Sequence, residues 1–346
     1  MTVTLPPPKE GVTTPTTATG RIARRWSILL IVLLVLALLP YFANVQAVTL
    51  MTRILIVGLI AASLGLLVGT TGLPSIGHAT FSGIGGYTAA LVAINWTEGS
   101  LQQAALATMA ATLAAMAIGW IAVRSGGVYF LLLTLTIGQL AYYLVESLSS
   151  VTGGANGLAG VPPGDLPAGM PELATPVNVY WYVLAATALG YVFLHALTAS
   201  PFGLVLQGIR DNERRMVALG YRTGYYKYAA FVVAGSVAGF AGALNVTHQR
   251  FVSPDDIGYH FSALLILAVI IGGRGSLLGA FGGAAVIVLV QNELSAYVAG
   301  YGELILGVAF VVIIVFMPQG IHGLFERGGR SIASMAISGS RRGGGR

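Results

Sequence analysis

The sequence predicts an all-α, polytopic transmembrane helical bundle of about ten spans, with one or two broken helices and both termini in the cytoplasm. Three observations carry this. Of 346 residues, 55% are hydrophobic and 9% charged, whereas a soluble domain carries roughly 25% charged residues; so few charges cannot clothe a soluble surface. Uncharged apolar runs recur from Ser27 to Met317, and about 20 such residues cross the hydrocarbon core. Lys and Arg are also partitioned unevenly between alternate loops. This composition excludes a water-soluble enzyme, a nucleic-acid-binding domain and a disordered regulator. The net charge of +6 follows from basic residues marking cytoplasmic loops and requires no nucleic-acid partner. With no cysteine, disulfides, thiolate metal sites and cysteine nucleophiles are ruled out, and no metal site is expected.

The chain begins with residues 1–26, a Pro- and Thr-rich stretch ending in Arg21, Arg24 and Arg25, which reads as a disordered basic cytoplasmic tail. An apolar run follows from Ser27 to Leu39 and continues through Pro40 to Ala43. A basic flank before an apolar core also describes a signal peptide, but no small-residue cleavage site follows. Further spans are expected at about 50–70, 72–95, 101–123, 127–147, 177–197, 228–247, 260–275, 278–297 and 302–317. The segments 72–95, with Pro74 and several glycines, and 260–275, which is short, each read as a broken or re-entrant helix. The membrane domain is thus 27–325, and 326–346 is a second disordered cytoplasmic tail. Ten crossings from an internal N-terminus place 16 of the 18 Lys and Arg residues inside and only Arg53 and Arg250 outside. One span more or fewer would invert every later loop, so an even count is favoured.

Two loops stand apart. Residues 148–176 are rich in Gly and Pro, lack Lys and Arg, and lie outside on this topology. Residues 198–227 lie inside and carry a helix signature: Ser200 and Pro201 at the start and Gly220 as a stop. Asp211 and Arg215 stand four apart, where they can pair, and Ile209, Met216 and Leu219 recur at helical spacing. A basic amphipathic helix on the lipid surface is one reading. The acidic Asp211 and Glu213 suit an anionic membrane face poorly, and they favour docking to a soluble partner.

Within the membrane, irregular backbone survives only where protein or a water-filled cavity satisfies it. Pro74, with Gly69, Gly72 and Gly77, marks such a place, and Ser75, His78, Thr80, Ser82 and Tyr87 line the segment with polar groups. A helix starting near Ser75 would offer free N–H groups to a carboxylate. These residues are candidates for a translocation path, against the simpler reading that small residues and hydroxyls only let helices pack. His78 has no acidic neighbour in sequence, and Glu146, Glu293 and Glu303 lie near span ends. No coupling-ion site is therefore evident. Gly235, Gly239 and Gly242 read as a close-packing face. Gly72-Leu-Pro-Ser75 and Gly272-Gly-Arg-Gly-Ser276 hint at an internal repeat. No GxxxxGK[ST] loop exists, so any ATP chemistry of that kind belongs to another chain.

Residues 209–227, IRDNERRMVALGYRTGYYK, with the Gly-rich run to Leu244, resemble the inner-membrane permeases of branched-chain amino-acid ABC importers, the LivM type. So do 72–90, GLPSIGHATFSGIGGYTAA, which is similar to that family's third-span motif, and the shorter segments FVSP at 251–254, IGGRGSLLGA at 271–280 and MPQGI at 317–321. The matches run in order from about 55 to 325. The resemblance implies a multi-pass permease in the bacterial inner membrane, with no cofactor of its own. Its partners would be the lipid bilayer, a second permease, two cytoplasmic ATPases that use the ATP, and an external solute-binding protein. The loop helix would dock on an ATPase through Arg210, Asp211, Glu213, Arg214, Arg215, Ala218 and Gly220. Here Met216, Val217 and Ala218 stand where small and acidic residues are usual, a departure from the family pattern. The loops 148–176 and 248–260 would meet the binding protein, with Asp165, Glu172, Asp255 and Asp256 as candidate contacts. Branched-chain amino acids are the family's usual substrate; urea and short amides are the alternative, and a stand-alone secondary transporter or channel is the alternative of another class.

Overall fold

The structure, a computed structural model, describes residues 32–97, 99–166, 172–273, 275–297 and 307. It divides into two units. The first contains one described helix, α1 (Val32–Phe42), short and apolar. Apart from residue 307, the expected span at 302–317 lies outside the described residues, as do both expected tails.

The second unit is a helical bundle. Helix α2 (Val45–Gly65) passes directly into a π-helical turn, Leu66–Thr71. Helices α3 (Ala79–Asn95), α4 (Ser100–Ala122) and α5 (Val128–Ser147) follow. The short α6 (Ser149–Thr152) opens the loop to α7 (Pro176–Ala199). Then come α8 (Pro201–Ala218), α9 (Thr223–Gln249), α10 (Tyr259–Gly272) and α11 (Leu277–Tyr297). Among the described residues six helical stretches are long and apolar enough to cross a membrane: 45–71, 100–122, 128–147, 176–199, 223–249 and 254–272. Helix α1 and the apolar part of α11, 277–292, are shorter, and α3 has only 17 residues because the break before it consumes the start of the expected 72–95 span.

The centre of the bundle is α2, whose crossing stretch is 89% buried, with α7, α9 and α11 packed on it, while α3 packs against α9 and α4. Close approach is possible because small residues face one another. A Cβ on Gly242 would overlap the Ser82 carbonyl, one on Gly85 the Gly239 carbonyl, and one on Gly235 the Ala115 methyl. The glycine face expected on α9 therefore exists, and it serves α3 and α4 together. Helices α10 and α11 form a hairpin in which Gly272 and Gly279 meet backbone to backbone. Gly273 (φ 98°) and Gly275 (φ 93°) turn the chain between them.

Candidate functional site

The break between α2 and α3 follows from its residues. Gly72 adopts φ +72°, open to glycine at little cost, and its N–H closes the π-helical turn on the Leu67 carbonyl. Pro74 then lacks an amide and cannot continue a helix. The helix restarts at Ala79, four residues later than the expectation near Ser75. Two amides at this break are taken up inside the bundle: the Ala79 N–H donates to Ser262 Oγ of α10 (3.0 Å) and the Ile76 N–H to Thr134 Oγ1 of α5 (3.3 Å). That corrects the idea of an open helix terminus. Hydroxyls brought in from distant helices have taken its place.

The polar side chains of this segment lie inside the bundle. Ser75, His78, Thr80, Ser82 and Tyr87 are all buried, and Pro74 is partly buried. Ser63 Oγ donates its single proton to the Ile60 carbonyl (2.7 Å), so its 2.8 Å contact to His78 Nε2 requires the ring nitrogen to donate. The His78 ring stands edge-on to Phe81, with no carboxylate bonded to it among the described residues. Its Nδ1, Ser75 Oγ, Thr80 Oγ1 and Tyr87 Oη have no hydrogen-bond partner among the described residues. Each such buried orphan costs about 1–3 kcal/mol.

Helix α8 is two helices joined at a kink. Asn212 (φ −161°, ψ 95°) leaves helical geometry, and its Oδ1 accepts from the Arg215 N–H (3.0 Å), capping the second piece. The second piece folds back, bringing the Met216 sulfur over Gly208. The continuous amphipathic helix expected from the periodicity is therefore replaced by a first half buried along one face and an exposed second half. Gly203, Leu206 and Ile209 are buried, whereas Val217 and Leu219 are 55% and 65% exposed. Gly220 (φ +88°) ends the element as expected. Ser200 precedes Pro201 at the N-cap, but its hydroxyl bonds back to Leu197 of α7 (2.7 Å) rather than forward.

The charged residues of α8 have distinct partners. Asp211 pairs with Arg210 (3.0 Å) and not with Arg215. Arg210 also reaches the π-helical turn, where its Nη1 donates to the Gly69 carbonyl and its stem lies over Gly72. Glu213 bonds to the buried Lys227 of α9 at 2.7 Å. Burial pushes Glu213 up, but the Lys227 ammonium and the Thr223 hydroxyl outweigh it and hold its carboxyl below the usual range. Arg214, Arg215 and Ala218 are exposed. No spacing rule joins Arg210 to Gly69 across 141 residues, so this contact was invisible in sequence.

At the far end of α9, 27 residues away or about 40 Å at the helical rise, the two loops 148–176 and 248–260 are knitted together. Strand β1 (Leu158–Ala159) pairs antiparallel with β2 (Phe251–Val252). Arg250, at φ 54°, donates to the Leu173 and Ala174 carbonyls. The Asp165 carbonyl accepts from the Ser100 N–H at the start of α4 (2.8 Å), and the Glu172 carbonyl from Asn178 Nδ2 (2.7 Å). Asp256 Oδ2 accepts from the Ser253 N–H in a capping box, while Asp255 is exposed.

Comparison with known proteins adds a further finding. A family model described as branched-chain amino acid transport system / permease component matches residues 46–317. The high-affinity branched-chain amino acid transport system permease protein LivM of Escherichia coli (strain K12) is 28% identical over 84% of this chain and 74% of its own length. The LivM protein of Salmonella typhimurium is equally similar, with the same coverage. The autoinducer 2 import system permease protein LsrC of Salmonella paratyphi B is 29% identical over 44% of this chain and 46% of its own. No solved structure matches at a significant level.

Proposed function

Because the chain belongs to the branched-chain amino acid transport system permease family, we propose that it is the permease of an ATP-driven importer, passing branched-chain amino acids from an external binding protein to the cytoplasm. Its relatives are transport subunits, not enzymes, and in this reading ATP is bound and hydrolysed by two separate ATPase chains. A second permease completes the pore, and the protein sits in the inner membrane with ten crossings and both termini inside.

One observation supports the reading above the others: α8 offers a surface while holding itself rigid. Its first half is buried along one face against the bundle, Arg210 binds the π-helical turn and Glu213 binds α9. What remains outward is Val217, Leu219 and Tyr221 beside Arg214 and Arg215. A helix resting on lipid buries its apolar residues in the interface and keeps acidic groups away from anionic headgroups. A soluble ATPase with its own charges is the better occupant. Arg210 then links that docking surface to the break that leads into α3. The orphaned hydroxyls of Ser75, Thr80 and Tyr87 fit a path that is shut in this conformation and wetted when it opens, when water would recover their lost hydrogen bonds.

The chain has no cysteine, so a single Leu219→Cys substitution is a unique label. In the assembled transporter it is expected to cross-link to an ATPase subunit, and Leu219→Asp is expected to lose the ATPase while inserting normally. Labelling of the new thiol by lipid-soluble reagents alone, with ATPase retention unchanged in both variants, would refute docking there.

A further inference from the structure

At the end of the bundle that carries β1 and β2, a cavity of about 190 Å³ opens between α2, the last turns of α9, the start of α10 and the outer half of α11. Cavities of about 150 Å³ hold a molecule the size of benzene, so this one has room for a single small solute. Its lining divides by chemistry. Arg53 comes from α2, and Asp255 and Asp256 come from the turn before α10. The buried side chains of Leu264, Ile287 and Val288 supply an apolar floor.

No hydrogen bond or ion pair joins the charges in this cavity to one another among the described residues. Among the described residues Arg53 forms no hydrogen bond or ion pair, Asp255 has no side-chain partner, and Asp256 spends one oxygen on the Ser253 amide. A structural pair would be expected to close, because an Arg side chain is long and gains a charge-assisted bond on contact. The location is also unusual. On the ten-span topology Arg53 and Arg250 are the two basic residues on the outer side, against the bias that keeps such residues inside. Arg250 is accounted for by the carbonyls of Leu173 and Ala174. Among the described residues Arg53, which is exposed, makes no hydrogen bond or ion pair, and Asp256 and His248 stand near enough only to feel its charge.

We infer that this cavity binds one zwitterionic aliphatic amino acid at the external mouth of the permease. Arg53 takes the α-carboxylate, Asp255 and Asp256 take the α-ammonium, and Leu264, Ile287 and Val288 receive the branched side chain. The inference rests on the amino-acid importer reading above and assigns it a docking point for the solute after release from the binding protein. Asp255 and Asp256, candidates for contact with that protein, become ligands of its cargo.

The test is direct binding of radiolabelled leucine to the full-length chain in nanodiscs, without binding protein or ATPase. Leucinamide, which lacks the carboxylate, and 4-methylpentanoate, which lacks the ammonium, serve as competitors. The parent chain is expected to bind leucine and to prefer it over both analogues. Arg53→Gln should weaken leucine binding roughly tenfold or more, the scale of one charge-assisted hydrogen bond, and erase the preference over leucinamide. Asp255→Asn should erase the preference over 4-methylpentanoate, and Arg53→Lys should retain most of the binding. Failure of the parent to bind leucine, equal competition by leucinamide in the parent, or parent-like affinity in both charge variants would each overturn the site. Uptake by the assembled importer separates this from the broader reading. If Arg53→Gln imports leucine with an unchanged KM, the site alone falls. If the parent imports no branched-chain amino acid, the amino-acid reading falls and takes the site with it.

Discussion

Replacing Arg210 with Met probes the link between the docking helix and the break in the membrane helices. Met retains an apolar stem over Gly72 but removes the guanidinium that donates to the Gly69 carbonyl. A hydrogen bond from a charged donor contributes about 1.5–3 kcal/mol. The Arg210 side chain is 39% exposed, so the lower end of that range applies. The Asp211 pair, whose partners are 39% and 69% exposed, adds little to this. About 1.4 kcal/mol is a factor of ten in an equilibrium, so the fraction of molecules in which α8 leaves the π-helical turn should rise about tenfold. Hydrogen exchange on the full-length chain in nanodiscs reads this directly. The Gly72 and Leu73 amides, both bonded to the Leu67 carbonyl, should exchange about tenfold faster, while amides in the middle of α4 keep their rates. In the assembled transporter, more ATP should be consumed per solute imported. Unchanged exchange at Gly72 and Leu73 would show that Arg210 does not hold the turn, and the proposed link would fail.

Two further outcomes follow from the packing and the charges. Gly242→Val places a side chain into the Ser82 carbonyl and should cost about 1–3 kcal/mol of overpacking or more, whereas Gly65→Ala meets open space and should be silent; equal thermal stability of the two variants would contradict the close α3–α9 approach. Glu213 has a folded carboxyl held below its ordinary value of 4.5, so its contribution is complete above that value and is lost as pH falls through the lower folded one. The melting-temperature advantage of the parent over Glu213→Gln should therefore be constant near neutrality and shrink below about pH 4.5, and an advantage that persists into stronger acid would argue against the Lys227 pair.

Much of this was legible in the sequence because it depends on local chemistry. Pro74 with its neighbouring glycines announces a break, Gly220 ends α8, and Gly235, Gly239 and Gly242 share a face of α9 whatever packs on it. The misplaced features depend on residues far away in the chain. Helix α3 starts at Ala79 and not near Ser75 because Thr134 and Ser262, 58 and 183 residues distant, satisfy the intervening amides. The apolar spacing of Ile209, Met216 and Leu219 fits one straight helix. It cannot reveal that Asn212 will cap a second piece that folds back over Gly208. Arg210 and Asp211 pair as neighbours because the kink removes the helical register that would have set Asp211 beside Arg215. Arg53 was visible only as an exception to the charge bias, and its meaning emerges from the cavity it lines.

The most direct test is solute accumulation in sealed proteoliposomes containing the permease pair and its ATPases, supplied with external binding protein and leucine. Leucine should be concentrated when ATP is enclosed with the ATPases at zero ion gradient. It should not be concentrated when the permease alone faces a sodium or proton gradient. Uphill transport by the permease alone under an ion gradient, with no response to ATP in the full assembly, would contradict an engine housed in a neighbouring chain.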